Sequence, residues 1–358
     1  MPSTTSTIRL ASAFSGTPAF PLGDTNAIQA ATPLPREADV VIVGAGFAAI
    51  GAAIELAVRQ HSVVVLTAGE LGDDPLIKGL GELTDTLPSS ASLPEDGTEA
   101  AKLTTGAAEA FKWTARVINE FGIDCGYDPS ASSNYINPAA LYSGLLSVAA
   151  KQGAEVRAET RVLAAARANG GGFELKTTAG RIRTSQLIVA DSAALASLVR
   201  KAPVTTRPTT MTYLLTEPVP GATHVSPMDG LRVFPDRRLL ASAAIGGSVS
   251  DARDELGARL LGGQPALQSA SSDGRELKIT NAWQATLVTT SNGIPQAGEH
   301  GGVYFIVPGS TSDLARMAWL GSRTARWMTG EQEPVFGVAP ARPRLAALVG
   351  AVRSKRRS

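Results

Sequence analysis

The clearest pattern in the chain is an unbroken apolar run, Val40-Val41-Ile42-Val43, which predicts a parallel strand buried on both faces. Gly44-Ala45-Gly46-Phe47-Ala48-Ala49 follows, then an alanine-rich helix to about Arg59, and residues 62–66 repeat the buried-strand pattern. Residues 71–104 are rich in Gly, Pro, Ser and acid and read as loop with short elements. Ala107, Phe111, Thr114, Ile118 and Phe121 then recur at helical spacing, with Gly122 just past the end. Asn137-Pro138 supplies the cap and first-turn proline of a helix running through Leu141, Leu145 and Ala149 to Gly153.

Short strands around Val156, Val162, Phe173 and Ile182, separated by glycine turns, predict a meander before residues 186–190 return as a buried strand. Residues 207–217 and 231–247 read as antiparallel strands, the second folded at Pro235-Asp236, and 251–261 as a helix. Residues 278–285 and 303–307 read as strands. The closing helix, 313–328, carries Leu314, Met317, Ala318, Gly321 and Ala325 on one face. Two kinds of segment therefore alternate. They predict a discontinuous nucleotide-binding domain over 37–90, 138–200 and 280–345, and a second domain from 91–137 and 201–279. A leader over 1–36 and a basic tail over 346–358 flank them.

Composition narrows the partners. With 358 residues and 44% apolar content the chain can bury a sizeable core, but at 5% aromatics alanine and branched aliphatics must fill it. Thirty-three basic against 32 acidic residues gives a net charge of +1, so neither nucleic acid nor membrane is attracted by the chain as a whole. The longest uncharged apolar stretch, residues 40–54, contains the glycine turn and is too short to cross a bilayer. The first residues lack a basic start followed by an apolar run, and Cys125 stands alone, which together lead us to expect a cytoplasmic protein. His61, His224 and His300 have no ligand spacing, so no metal is expected.

The candidate chemistry begins at the glycine turn. Gly44 permits the tight turn, Gly46 lets backbone approach a pyrophosphate, and Ala49 keeps helix and strand close, while the helix amides face the anion. A carboxylate is expected at the end of the second strand to hold a ribose, yet that position is Thr67. Losing a charge-assisted hydrogen bond, roughly 1.5–3 kcal/mol, weakens nucleotide binding by one or two orders of magnitude unless Glu70 reaches back. Ala68, Gly69 and Glu70 offer no cation for the 2′-phosphate of NADP.

The order of several further segments resembles the D-amino-acid-oxidase-like family of FAD-dependent oxidoreductases, in particular its amine-oxidising branch. The segments are the opening at 38–57, Ile123-Asp124-Cys125, Ile136-Asn137-Pro138-Ala139-Ala140-Leu141-Tyr142, 187–190, Leu214-Leu215-Thr216-Glu217-Pro218, 232–240, Trp283, Gly293-Ile294-Pro295 and Gly302-Val303-Tyr304. The resemblance implies an α/β fold, a Rossmann-like FAD-binding domain with an antiparallel β-sheet substrate domain. FAD would meet Gly44, Gly46, Phe47, Ala48, Ala49, Thr67, Val162, Gly309 and Ser310. A small amine or amino-acid substrate would meet Tyr213, Arg232, Trp283 and Tyr304, and give a hydride to the flavin. It assigns no catalytic side chain.

Departures from the family concentrate near the cofactor. Where relatives carry a Ser-Gly-Arg-Asn-Gly-Gly type loop, this chain has Gly72-Asp73-Asp74-Pro75-Leu76-Ile77-Lys78-Gly79-Leu80-Gly81, whose two carboxylates repel a pyrophosphate unless they face water as an exposed turn. Where relatives carry a Gly-Phe-Ser-Gly-His-Gly type turn, it has Val307-Pro308-Gly309-Ser310-Thr311-Ser312-Asp313, in which Asp313 opposes charge on a reduced flavin. Two readings follow. The chain is an FAD-dependent amine or amino-acid oxidoreductase, or a degenerate relative that binds FAD weakly or not at all and serves as a partner subunit or scaffold.

Overall fold

The computed structural model describes residues 15–331 and Phe336, apart from 24, 26–27, 29–31, 89–90, 131–133, 220–221, 223–229 and 264–277. The first 14 residues of the leader, His224 and the basic tail lie outside the described residues.

The apolar run becomes β1 (Glu37–Val43), and the turn after it opens α1 (Phe47–Val58). β2 (Val63–Leu66) is buried at every position. After β3 (Glu82–Leu83) comes α2 (Gly97–Glu120), ten residues earlier than the hydrophobic period begins, because the Asp96 carboxylate caps it by accepting from the Thr98 and Glu99 amides. β4 (Asn134–Tyr135) precedes α3 (Pro138–Lys151), capped as expected by Asn137. β5 (Glu155–Arg157), β6 (Val162–Arg167) and β7 (Phe173–Thr177) lead into β8 (Gly180–Val189). The expected break before residue 186 is absent: one strand pairs first with β7, antiparallel, and then with β1, parallel.

α4 (Ser192–Leu198) follows, capped by Asp191, then β9 (Thr206–Thr216), β10 (Leu231–Val233), β11 (Leu239–Ala243) and α5 (Val249–Gly263). β12 (Ile279–Thr290) continues five residues beyond its expected end. β13 (Gln296–His300), β14 (Val303–Val307) and α6 (Leu314–Met328) complete the order.

Two main sheets result, a Rossmann-like parallel one and an antiparallel one. In the first the path is β13-β14-β8-β1-β2-β5, with β14, β8, β1, β2 and β5 parallel and β7 and β6 added alongside β8. The second has the order β10-β11-β9-β12 and is antiparallel throughout. One face of the parallel sheet packs on α1, α3 and α6, the other on α4 and β7. Helices α1 and α6 cross with backbones nearly touching: a Cβ on Gly51 would collide with Ala318 O, and one on Gly321 with Ala48 O. Along β9 successive residues serve opposite faces of the second sheet, Leu214 toward α5 and Tyr213 and Leu215 away from it. Among the described residues no helix is long and apolar enough to cross a membrane.

Candidate functional site

The glycine turn has the backbone its sequence demands. Gly44 sits at φ +103°, and its amide donates to Leu66 O at 2.8 Å, so the chain leaves β1 across the end of β2. Gly46 occupies the cap position of α1 with extended backbone and no side chain to engage the first amides, which leaves them for an external acceptor. Ala49 is fully buried against the core, as close packing of helix on strand requires. A cavity of about 220 Å³ borders the turn, and Thr67, Glu70, Asp74, Asp191, Pro308 and Met317 contribute to its walls.

Asp73 and Asp74 take opposite directions. Asp73 is exposed and pairs with Lys78 at 3.2 Å, as an acidic surface turn should. The expectation of exposure fails for Asp74, which turns inward to the mouth of α1. Its Oδ1 accepts from the Leu76 amide at 2.8 Å, and a Cβ on Gly46 would collide with its Oδ2. Burial pushes this carboxyl up to about 6, with the charge of Asp191 adding, against the Leu76 and Phe47 amides and Lys78. The acceptor that the α1 amides call for is therefore supplied by the chain itself.

The second turn is closed in the same sense. Asp313 does not cap α6 with its side chain. Its Oδ2 accepts from the amides of Gly309 (2.5 Å) and Ser310 (2.7 Å), its Oδ1 from Ser310 Oγ (3.1 Å). Arg316 completes the cluster, donating to Asp313 Oδ1 at 2.7 Å, Thr86 O at 2.6 Å and Ser312 O at 2.7 Å. Both ionic side chains are 0% exposed, so the pair is sealed from water. Gly309 also lies hard against Gly293 and Ile294, which a Cβ would meet at 2.5 Å.

Between this turn and the antiparallel sheet runs the 76–81 loop. Trp283 Nε1 donates to Lys78 O at 3.0 Å, and a Cβ on Gly79 would stand 3.5 Å from Tyr213 Oη and 3.9 Å from Thr311 O. Tyr213 and Trp283 stack with centroids 5.3 Å apart and planes within 9°. The leader covers them from outside: Ser15 pairs with β12 through Thr280 O and the Ala282 amide, and Asn281 donates to Thr17 O. Phe20 then packs on that aromatic cluster and on Phe234 at 5.8 Å.

Arg232 is not placed to receive a substrate carboxylate. Its Nη1 donates to Leu80 O (2.8 Å) and Ile136 O (2.7 Å), and the guanidinium lies 4.8 and 4.6 Å from the Phe20 and Phe234 ring centres. Burial lowers it to about 10, which leaves it charged at neutral pH. Tyr304 is not brought to this face at all; it sits on β14 and packs edge-on against Trp327 at 5.1 Å.

Among the expected cofactor residues, Gly44, Gly46, Phe47, Ala48 and Thr67 border the cavity. The Phe47 ring is buried against Tyr142, so only backbone from this residue faces the site. Val162 lies apart from the cavity on β6, against the core on the other side of the sheet. Gly309 and Ser310 spend their amides on Asp313. Among the described residues no cluster of three or more His, Cys, Asp or Glu could hold a metal.

FAD does not fit these residues as they stand. Pockets for drug-sized ligands run roughly 300–1,000 Å³, and FAD is larger than most such ligands. Here about 220 Å³ is offered, with a carboxylate where a pyrophosphate would lie.

The sequence profile of the FAD dependent oxidoreductase (DAO) family matches residues 39–132 and 130–327. No curated protein matches the sequence. Solved structures share the fold at low identity. Glycine oxidase from Geobacillus kaustophilus superposes with a TM-score of 0.67 at 17% identity, covering 84% of this chain and 96% of that one. L-amino acid deaminase from Proteus vulgaris gives 0.67 at 15%, over 86% and 98%. L-proline dehydrogenase from P. horikoshii gives 0.65 at 14%, over 84% and 96%.

Proposed function

Because the chain belongs to the DAO family of FAD-dependent oxidoreductases, we propose that it is a closed-site member of that family, which keeps the fold but binds FAD weakly or not at all. It then acts through its surface, as a partner subunit or scaffold. The observation that carries this reading is the Asp74 carboxylate at the mouth of α1, in the place a pyrophosphate needs. The self-satisfied Gly309 and Ser310 amides support it from the flavin side.

Absorbance of the purified protein, followed by analysis of nucleotide released on denaturation, tests it directly. No flavin is expected from the wild type, and Asp74→Ser is expected to raise FAD affinity by about tenfold or more, since a like charge is removed from the phosphate place. Stoichiometric flavin in the wild type would overturn the closed-site reading. A flavin-free monomer with no partner by native mass measurement in cell extract would overturn the subunit role.

One observation favours a second reading. The Asp74 carboxyl, held near 6, loses its charge in mildly acidic solution, while the Gly44–Gly46 turn is intact. An oxidoreductase acting on an amine or amino acid would then load FAD below about pH 6. Flavin bleaching and peroxide release with a panel of amines and amino acids, at pH 5.5 and pH 8, separate the two readings.

A further inference from the structure

We propose that the cavity at the glycine turn binds an uncharged nucleoside in preference to any nucleotide. The inference rests on the closed-site reading and carries it further, from what is excluded to what is admitted.

Size comes first. A dry cavity of roughly 150 Å³ accepts benzene, and drug-sized ligands need roughly 300 Å³ or more. At about 220 Å³ this cavity suits a ligand between those limits, larger than a single ring and smaller than a dinucleotide.

Wall chemistry then selects. Ala45, Leu76, Leu287, Pro308 and Met317 give apolar surface for a flat heterocycle. Thr67, Glu70, Asp74 and Asp191 give oxygen acceptors, and Thr67 stands at the end of β2, where this fold meets a ribose. A ligand that donates hydrogen bonds from hydroxyls and carries a flat ring satisfies both walls. Phosphate does not, because it brings only acceptors and negative charge to a wall of carboxylates. The charge preference of a glycine-turn nucleotide site is thus reversed: Asp74 already holds the position at α1 that a 5′-phosphate would take.

Calorimetric titration of the full chain with adenosine, uridine, AMP, ADP and FAD tests the proposal. A nucleoside is expected to bind the wild type at least about tenfold more tightly than its 5′-monophosphate, the equivalent of one lost charge-assisted hydrogen bond. Asp74→Ser is expected to narrow or invert that ratio by raising AMP affinity. Asp74→Asn keeps the shape of the side chain without its charge, and is expected to improve AMP less than the serine variant does. Thr67→Leu is expected to weaken adenosine, and its circular dichroism shows whether the fold is kept. AMP binding the wild type as tightly as adenosine, or no nucleoside binding at all, overturns this inference and leaves the closed-site reading standing. Tight FAD binding by the wild type overturns both.

Discussion

Two carboxylates close two donor-rich turns of this molecule, and they do so by different physics. Asp74 comes from a separate loop, meets the α1 amides without an arginine partner, and is held near 6 by burial. Asp313 belongs to the turn it closes and is matched by Arg316, both fully buried and bonded on every side. The first resembles a bound ligand that happens to be tethered; the second is part of the frame. A charge held by amides, with no salt bridge to it among the described residues, can leave its place by gaining a proton or swinging out. One held by a buried guanidinium cannot.

The strongest way to break the contrast is to remove the arginine. Arg316→Met is expected to lower stability by about 3–5 kcal/mol, because Asp313 would be left as an uncompensated buried charge. Adding Asp313→Asn should return a large part of that loss. Chemical denaturation of both variants is the measurement, and a loss under about 1 kcal/mol for the single variant would put Asp313 in the same class as Asp74.

Asp74 should behave in the opposite way. Its folded pKa, about 6, lies above the unfolded value near 3.8, so folding takes up a proton between those limits. The carboxyl therefore costs little below pH 4, increasingly more as pH rises, and its full penalty above pH 6. Asp74→Asn is expected to stabilise the protein by up to about 3 kcal/mol at pH 8, with the gain fading toward pH 4. Denaturation midpoints at pH 4, 6 and 8 check this, and a pH-independent difference would contradict it.

A smaller effect sharpens the geometry at α1. Gly46→Ala drives a methyl group into Asp74, and is expected to cost about 1–2 kcal/mol. In the Asp74→Ser background the cost should fall by at least half, which a double-mutant cycle measures. Least affected should be the covered sheet face: Phe20→Ala, which removes an aromatic pair and the contact with Arg232, is expected to cost about 1 kcal/mol.

Much of the fold was legible because it rests on local pattern. The β1–α1–β2 unit, the Asn137 cap and the α6 face all follow from apolar spacing and turn chemistry. β13 escaped because Gln296-Ala297-Gly298-Glu299-His300 has one apolar position of any size, and its place at the sheet edge is set by β14 rather than by its own residues. The site was harder to read. Asp73 and Asp74 are adjacent and chemically identical, and what separates them is the distant surface each happens to face. Likewise Arg232 looks from sequence like an anion receptor, yet Leu80, Tyr135 and Ile136 each spend a carbonyl on it. Side-chain direction is a tertiary property. Residue type and spacing carry no record of it.

The crossing of α1 with α6 has a consequence for biosynthesis. Gly51 leaves the ribosome long before the Ala318 and Gly321 backbone of the helix that α1 packs against. Until α6 emerges, the apolar face of α1 that it covers has no native cover. Contacts this distant in sequence slow folding and prolong the exposure of sticky surface. The growing polypeptide should therefore depend on chaperones until α6 emerges, and a premature stop before residue 314 should leave an aggregating fragment rather than a smaller working domain.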